Sequence, residues 1–213
     1  ASNYDVLLDS PFVVSRNLRT KEFTVGGRRH TVAAFNQPES ADLDAFGAVC
    51  TKAAEGALAL FGELPYEGYT FLFDIGGSRG GLEHMDCTRI GLRVGQTAQQ
   101  AAGIIFHEYF HAFNVKRIRS KPLGPFDYTK PALTGAIWWL EGVTDYYADV
   151  LSVRTGVMTR DDFLKSMASA FTSFHSGDAF ATVSADESSR RVWDSRGSFG
   201  FGGVNYYTKG SLV

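Results

Sequence analysis

The segment His107-Glu108-Tyr109-Phe110-His111 lies in a stretch that reads as a helix, and it constrains this chain more than any other feature. A pitch of about 3.6 residues stacks the two imidazoles on one face, where both can grip a single zinc ion. Glu108 then lies beside the ion, able to take a proton from the attacking water, the general-base role in metal-assisted peptide hydrolysis. Such a helix needs a third ligand from elsewhere and an open position for water. The best candidate is Glu141 in Trp138-Trp139-Leu140-Glu141-Gly142-Val143, because an acid in so apolar a stretch requires a strong partner and a cation is one. Asp145 follows one turn later on the same face. It reads either as the acceptor for the second ring N–H of a ligating histidine or as a solvent-facing helix acid. Asn114, three residues past His111, reads either as a support for the ligands or as a helix C-cap.

The rest of the chain supplies alternating strand and helix patterns. Residues 4–36 alternate short apolar groups with Arg, Asn and Gly, as in Phe23-Thr24-Val25-Gly26-Gly27, and predict strands joined by a turn. Residues 40–64 carry apolar side chains at helical spacing, with Ser40 as candidate N-cap. Residues 69–75 read as a buried strand and residues 85–94 as an edge strand. The glycine-rich turn between them lacks the Gly-Lys-Ser/Thr ending and the following helix of a phosphate loop. Thr97 is placed to cap a helix over 98–114, a long loop follows over 115–135, and helices are expected over 137–154 and 160–174. Residues 175–205, rich in Ser, Gly and Asp, are expected to be mostly loop.

The apolar fraction of 44% and charged fraction of 21% are those of a globular protein, and a net charge of −2 gives no electrostatic footprint for nucleic acid. No run of about 18 apolar residues offers a membrane span, and the N-terminus lacks the pattern of a signal peptide. The compartment stays open between cytoplasmic and exported. Cys50 and Cys87 are too few for a disulfide framework and lack zinc-ligand spacing, so both are expected as buried free thiols. His30 and His175 sit in loop-like or edge surroundings and are expected to be exposed.

His107-Glu108-x-x-His111-x-x-Asn114 followed by Trp139-Leu140-Glu141-Gly142 resembles the gluzincin metallopeptidases, most closely the glycyl aminopeptidase family. Further motifs in order share the resemblance: Tyr4-Asp5-x-Leu7-x-Asp9-Ser10-Pro11, Gly80-Gly81-Leu82-Glu83-His84, Asn114-Val115-Lys116-Arg117-Ile118-Arg119, Pro125-Phe126-Asp127-Tyr128 and Tyr207-Thr208-Lys209-Gly210. The resemblance implies an α+β, thermolysin-like catalytic domain: a β-rich part with one long helix over residues 1–96, packed on a helical zinc-binding part over 97–213. It implies one zinc ion on His107, His111 and Glu141, a peptide substrate, and Glu108 as the base.

In related aminopeptidases a Gly-x-x-Glu-Asn loop holds the substrate's free amino group through its glutamate. Glu83 occupies that place, with His84 where the asparagine usually stands, as in the glycyl aminopeptidase family. The tyrosine of a Tyr-x-Lys-Gly segment hydrogen-bonds the oxyanion in these enzymes; Tyr207 matches it, with Tyr206 as its neighbour. The stretch from His111 to Glu141 is longer than in alanyl-aminopeptidase relatives, so substrate preference does not transfer from them. The family usually adds an N-terminal β domain, further helices and often a C-terminal PDZ-like domain, so the chain is expected to be an excised catalytic core. The reading is a zinc aminopeptidase for N-terminal glycine or another small residue. Its rivals are an endopeptidase of the same clan and a folded but inactive peptide-binding fragment.

Overall fold

Two glycines at positive φ, Gly26 (+56°) and Gly27 (+75°), close the hairpin between β1 (Arg19–Val25) and β2 (Arg28–Phe35), a two-residue turn that requires a left-handed conformation at both positions. In the computed structural model, which describes residues 3–176, 179–195, 200–201 and 204–213, a short helix α1 (Tyr4–Leu8) precedes this hairpin. Strands were expected there; the Asn3 side chain instead accepts the Val6 N–H and starts a helix.

Helix α2 (Leu43–Phe61) crosses from β2 to the parallel strand β3 (Gly68–Ile75). Asp42, not Ser40, is its N-cap, accepting the Ala45 N–H at 3.0 Å, because the buried face begins at Leu43 and Phe46. Next come β4 (Gly80–Glu83) and β5 (Cys87–Leu92), giving a five-stranded sheet of order β1-β2-β3-β5-β4. β5, expected at the edge, therefore lies inside the sheet, parallel to β3 and antiparallel to β4. The edge strand is the short glycine-rich segment, whose composition masks it as a turn. Gly91 of β5 allows the close approach: a Cβ there would fall 1.5 Å from the Ser78 carbonyl oxygen.

α3 (Ala98–Phe110) begins with a reciprocal capping box between Thr97 and Gln100 and packs on α2 and the β4–β5 end of the sheet. The expected long helix after the 115–135 loop starts as one π turn (Trp138–Gly142) and continues as α4 (Val143–Arg154). Then follow α5 (Arg160–His175), the short α6 (Ala179–Thr182) and α7 (Ala185–Arg190), the paired β6 (Gly200–Phe201) and β7 (Val204–Asn205), and α8 (Tyr206–Leu212). The 175–205 region is thus more helical than expected. Ser184 caps α7 by accepting the Glu187 N–H at 3.0 Å, which suffices for a helix too short to show a period.

Among the described residues a core cluster runs from Val25 through Phe71, Phe73, Ile90, Ile105 and Phe106 to Leu151, joining the sheet to α2, α3 and α4. Its lower rim is stapled by two residues after the metal motif. Arg117 donates to the carbonyls of Pro65, Met85 and Ala112 at 2.7–2.8 Å and to Asp86, and Lys116 reaches Asp9 at 2.7 Å. Burial opposes ionisation of Asp9, but the nearby His84 ring and hydrogen bonds from Lys116 and the Met85 N–H overcome it and hold the carboxyl down at about 2. Among the described residues no helix is long and apolar enough to cross a membrane. Both cysteines are free; Cys50 is buried as expected, whereas Cys87 is only half-buried.

His30 departs from expectation: it is fully buried, stacked on Phe23 and 2.8 Å from the Tyr66 hydroxyl, which in turn bonds Tyr109 of α3. Its ring faces inward because His30 pairs with Tyr69 in the middle of the sheet, and burial drives its pKa down to about 4. Above about pH 6.5 the ring is neutral in both folded and unfolded chains. As pH falls from about 6.5 to about 4 the unfolded chain takes the proton first, so the fold loses on the order of 3 kcal/mol over that window. Urea unfolding of wild type beside His30→Gln is expected to show the difference in stability moving by that amount between pH 7 and pH 4; a pH-independent difference refutes the assignment.

Candidate active site

The three donor atoms converge. His107 Nε2 and His111 Nε2 stand 3.0 Å apart, and Glu141 Oε2 lies 3.3 and 3.2 Å from them. Each imidazole is turned by its other nitrogen: His107 Nδ1 is 2.7 Å from Asp145 Oδ1, and His111 Nδ1 is 2.7 Å from the Asn114 carbonyl oxygen. A carboxylate and a carbonyl only accept, so both Nδ1 atoms donate and both Nε2 atoms face Glu141. Burial opposes a charge on these rings, but the carboxylates of Asp145 and Glu141 outweigh it at His107 and raise its pKa to about 10, and Glu141 raises that of His111. Two ring nitrogens and a carboxylate oxygen aimed at one point require a proton or a metal cation between them. Glu141 Oε2 is indeed buried without a hydrogen-bond partner. The donor set therefore fits a zinc-like ion, with the tautomers already selected.

The C-cap of α3 is His111, so of the two roles read from the sequence Asn114 takes the support of the donor groups. Its carbonyl holds His111, while its side-chain amide donates to the Trp139 carbonyl and Thr144 Oγ1, both at 3.1 Å. That bond ties the end of α3 to the π turn carrying Glu141. The extra residue of a π turn rotates the side chains that follow, and the carbonyls it leaves free need donors. Thr144, fully buried, is a supporting residue that sequence reading missed. A small hydroxyl four residues before Ala148 carries no periodic signal.

Glu108 is buried beside the pair, and burial pushes its carboxyl up to about 7 against the opposing pull of His107 and His111. Edge strand β4 closes over it so tightly that a Cβ on Gly81 would lie 2.1 Å from Glu108 Oε1. Glu83, two residues along the same strand, brings a carboxylate oxygen within 4.8 Å of ligand atoms on Glu108 and His111. His84 turns elsewhere. It is buried, with Nδ1 3.4 Å from Asp9 Oδ1, so the structure pairs it with the α1 segment and not with the Glu83–Glu108 group. Successive residues point to opposite sides of a strand, which separates the two.

Tyr207 lies in the first turn of α8, its N–H bonded to the Asn205 side chain. Its ring centroid is 5.9 Å from that of His107, and its hydroxyl donates to Glu141; burial and that carboxylate both raise its pKa far above the usual range. Tyr206 is buried and stacks on Tyr207. α8 reaches this position because it crosses the π turn at two glycines: a Cβ on Gly142 would lie 2.4 Å from the Gly210 Cα, and one on Gly210 would lie 2.1 Å from the Trp138 carbonyl oxygen. Lys209 Nζ anchors the same helix on the Phe180 and Val183 carbonyls at 2.8 and 2.6 Å.

The family model of the M61 glycyl aminopeptidases matches residues 100–213, the half of the chain that holds these ligands. The chain belongs to that family. An aminopeptidase N family protein from Idiomarina loihiensis superposes with a TM-score of 0.89 at 29% identity, over 100% of this chain and 38% of that one. An M1 zinc metallopeptidase from Deinococcus radiodurans shares the fold, with a TM-score of 0.53 at 14% identity over 76% of this chain and 33% of its own. This family member thus spans well under half the length of either relative, and its α+β fold is theirs. No curated protein matches the chain.

The glycine crossing gives a stability test. Gly210→Ala is expected to cost at least about 2 kcal/mol in urea unfolding, because a methyl would have to displace backbone. Gly103→Ala, on α3 with open space around it, is expected to be neutral or to stabilise by about 0.5–1 kcal/mol. Equal effects at the two positions would exclude a steric crossing.

Proposed function

We propose that this member of the M61 glycyl aminopeptidase family is the catalytic part of a zinc-dependent aminopeptidase that removes N-terminal glycine or another small residue from peptides. The observation that carries the reading is the placement of Glu83 beside the Glu108–His111 end of the donor set, within one group of ligand atoms spanning 4.8 Å. An anionic residue so close to the reacting centre suits a substrate whose charged amine lies next to the scissile bond. The division at residues 96 and 97 is part of the same proposal: Glu83 comes from the sheet half, and the zinc ligands from the helical half.

One zinc ion on His107, His111 and Glu141 would supply a Lewis acid for the scissile carbonyl and make water a stronger acid. Asp145 and the Asn114 carbonyl keep both imidazoles in the tautomer that can ligate. Glu108 takes a proton from the attacking water and returns it to the leaving amine; a carboxyl held near neutrality by burial suits both transfers. Gly81 leaves room for that carboxylate against the edge strand. Tyr207 releases Glu141 and donates its hydroxyl hydrogen bond to the oxyanion. Glu83 binds the ammonium group, and His84, held on Asp9, fixes the turn after it.

Hydrolysis of glycyl peptides by the zinc-loaded chain is expected to fall about 100-fold or more with Glu108→Gln, at unchanged zinc content, and about 10- to 100-fold with Tyr207→Phe. N-acetylation of the substrate is expected to abolish cleavage. Equal rates on free and acetylated peptides would make the chain an endopeptidase of the same clan, and full activity in Glu108→Gln would remove the base from the mechanism.

A further inference from the structure

Four carboxylates gather at this one cleft: Glu83, Glu108, Glu141 and Asp145. Among the described residues none of them is ion-paired to a lysine or arginine; the partners of Glu141 and Asp145 are the two histidines, which are neutral when each Nδ1 donates and each Nε2 ligates. A single dication on the His107–His111–Glu141 donors therefore balances only half of the negative charge. The remainder is concentrated where Glu83, Glu108 and His111 bring ligand atoms within 4.8 Å of one another. A separate observation marks this point as wanting a cation: Glu108 is more than nine-tenths buried, and its Oε2 has no hydrogen-bond partner. Buried carboxylates in that state are satisfied by protonation, by an ammonium group or by a metal ion.

We propose that Glu83 and Glu108 form a second divalent-cation site that regulates the first by occupying the seat of the substrate's amine. The proposal rests on the aminopeptidase reading of the same cleft. The second site is the weaker one, because His111 Nε2 faces the first donor set and leaves two carboxylates, with water completing the coordination. Occupancy withdraws both groups that the reaction uses there: the base is tied to a cation, and the ammonium loses its counter-charge. Excess metal thus inhibits in competition with substrate.

Metal binding, rather than activity, tests this. The metal-free chain is dialysed against increasing free zinc, and bound ions per chain are counted. Wild type is expected to take one zinc tightly and a second at higher concentration. Glu83→Gln, isosteric on an edge strand, is expected to keep the first and to weaken the second by at least about tenfold, as is Glu108→Gln. Glycinamide, which carries a free amine, is expected to weaken only the second step. A wild type that stops at one zinc overturns the proposal, as does a second zinc bound equally well by both variants, which would place it elsewhere on the surface. A chain that binds no zinc at all fails earlier, at His107, His111 and Glu141, whereas cleavage of acetylated peptides with two ions bound refutes the amine seat and leaves the second metal site standing.

Discussion

Asn114 couples the two halves of the donor set: its backbone carbonyl orients His111, and its side-chain amide holds the π turn from which Glu141 projects. A helix alone can stack two histidines, but it cannot aim a carboxylate from another helix at their shared lone-pair direction. One side chain that bonds both elements sets that angle without relying on the long 115–135 connection. Asp145 and Thr144, on the first turn of α4, complete the clamp from the other side. The ligand geometry is therefore a property of the α3–α4 junction, and the sheet's part is to bring Gly81 and Glu83 over it.

That division explains which features could be read from the chain before its fold was known. His107, Glu108, His111 and Asp145 follow from helical pitch, since a residue one turn away must share a face whatever the tertiary structure. Glu141 was legible because a carboxylate among tryptophans and leucine demands compensation. The roles of Glu83 and Tyr207 came through resemblance, and the residues beside them were harder. His84 is adjacent to Glu83 yet faces Asp9, because strand alternation separates neighbours. His30 was expected at the surface, but a histidine in a short strand carries no sign of whether its face is covered. β4 is four residues long and half glycine, so neither period nor propensity could mark it as the edge of the sheet. The π turn is equally silent in sequence, since one additional residue in a helix leaves the apolar spacing nearly intact.

Electrostatics and packing share the work at the cleft's base. Arg117 and Lys116 lie directly after the metal motif but take no part in the proposed chemistry. They bind the carbonyls and the Asp9 carboxylate that hold α1 and the β4–β5 turn beneath the cleft. Positive charge is thus spent on scaffolding a few residues from the ligands, and the cleft itself is left anionic. The proposed binding of a metal ion and then of an ammonium group would depend on that separation.

The crossing of Gly142 and Gly210 bears on how the molecule is made. His107, His111 and Glu141 are all synthesised well before Tyr207, so the nascent chain gains its complete donor set while the strand of polypeptide that will deliver the tyrosine is still inside the ribosome. The last turn of α8 then locks over the π turn as a keystone. The proposed metal capture and the proposed oxyanion contact would then be separate events in the life of the chain, and a break after α4 but before Tyr206, which leaves Thr144 and Asp145 in place, would be expected to spare the first and lose the second.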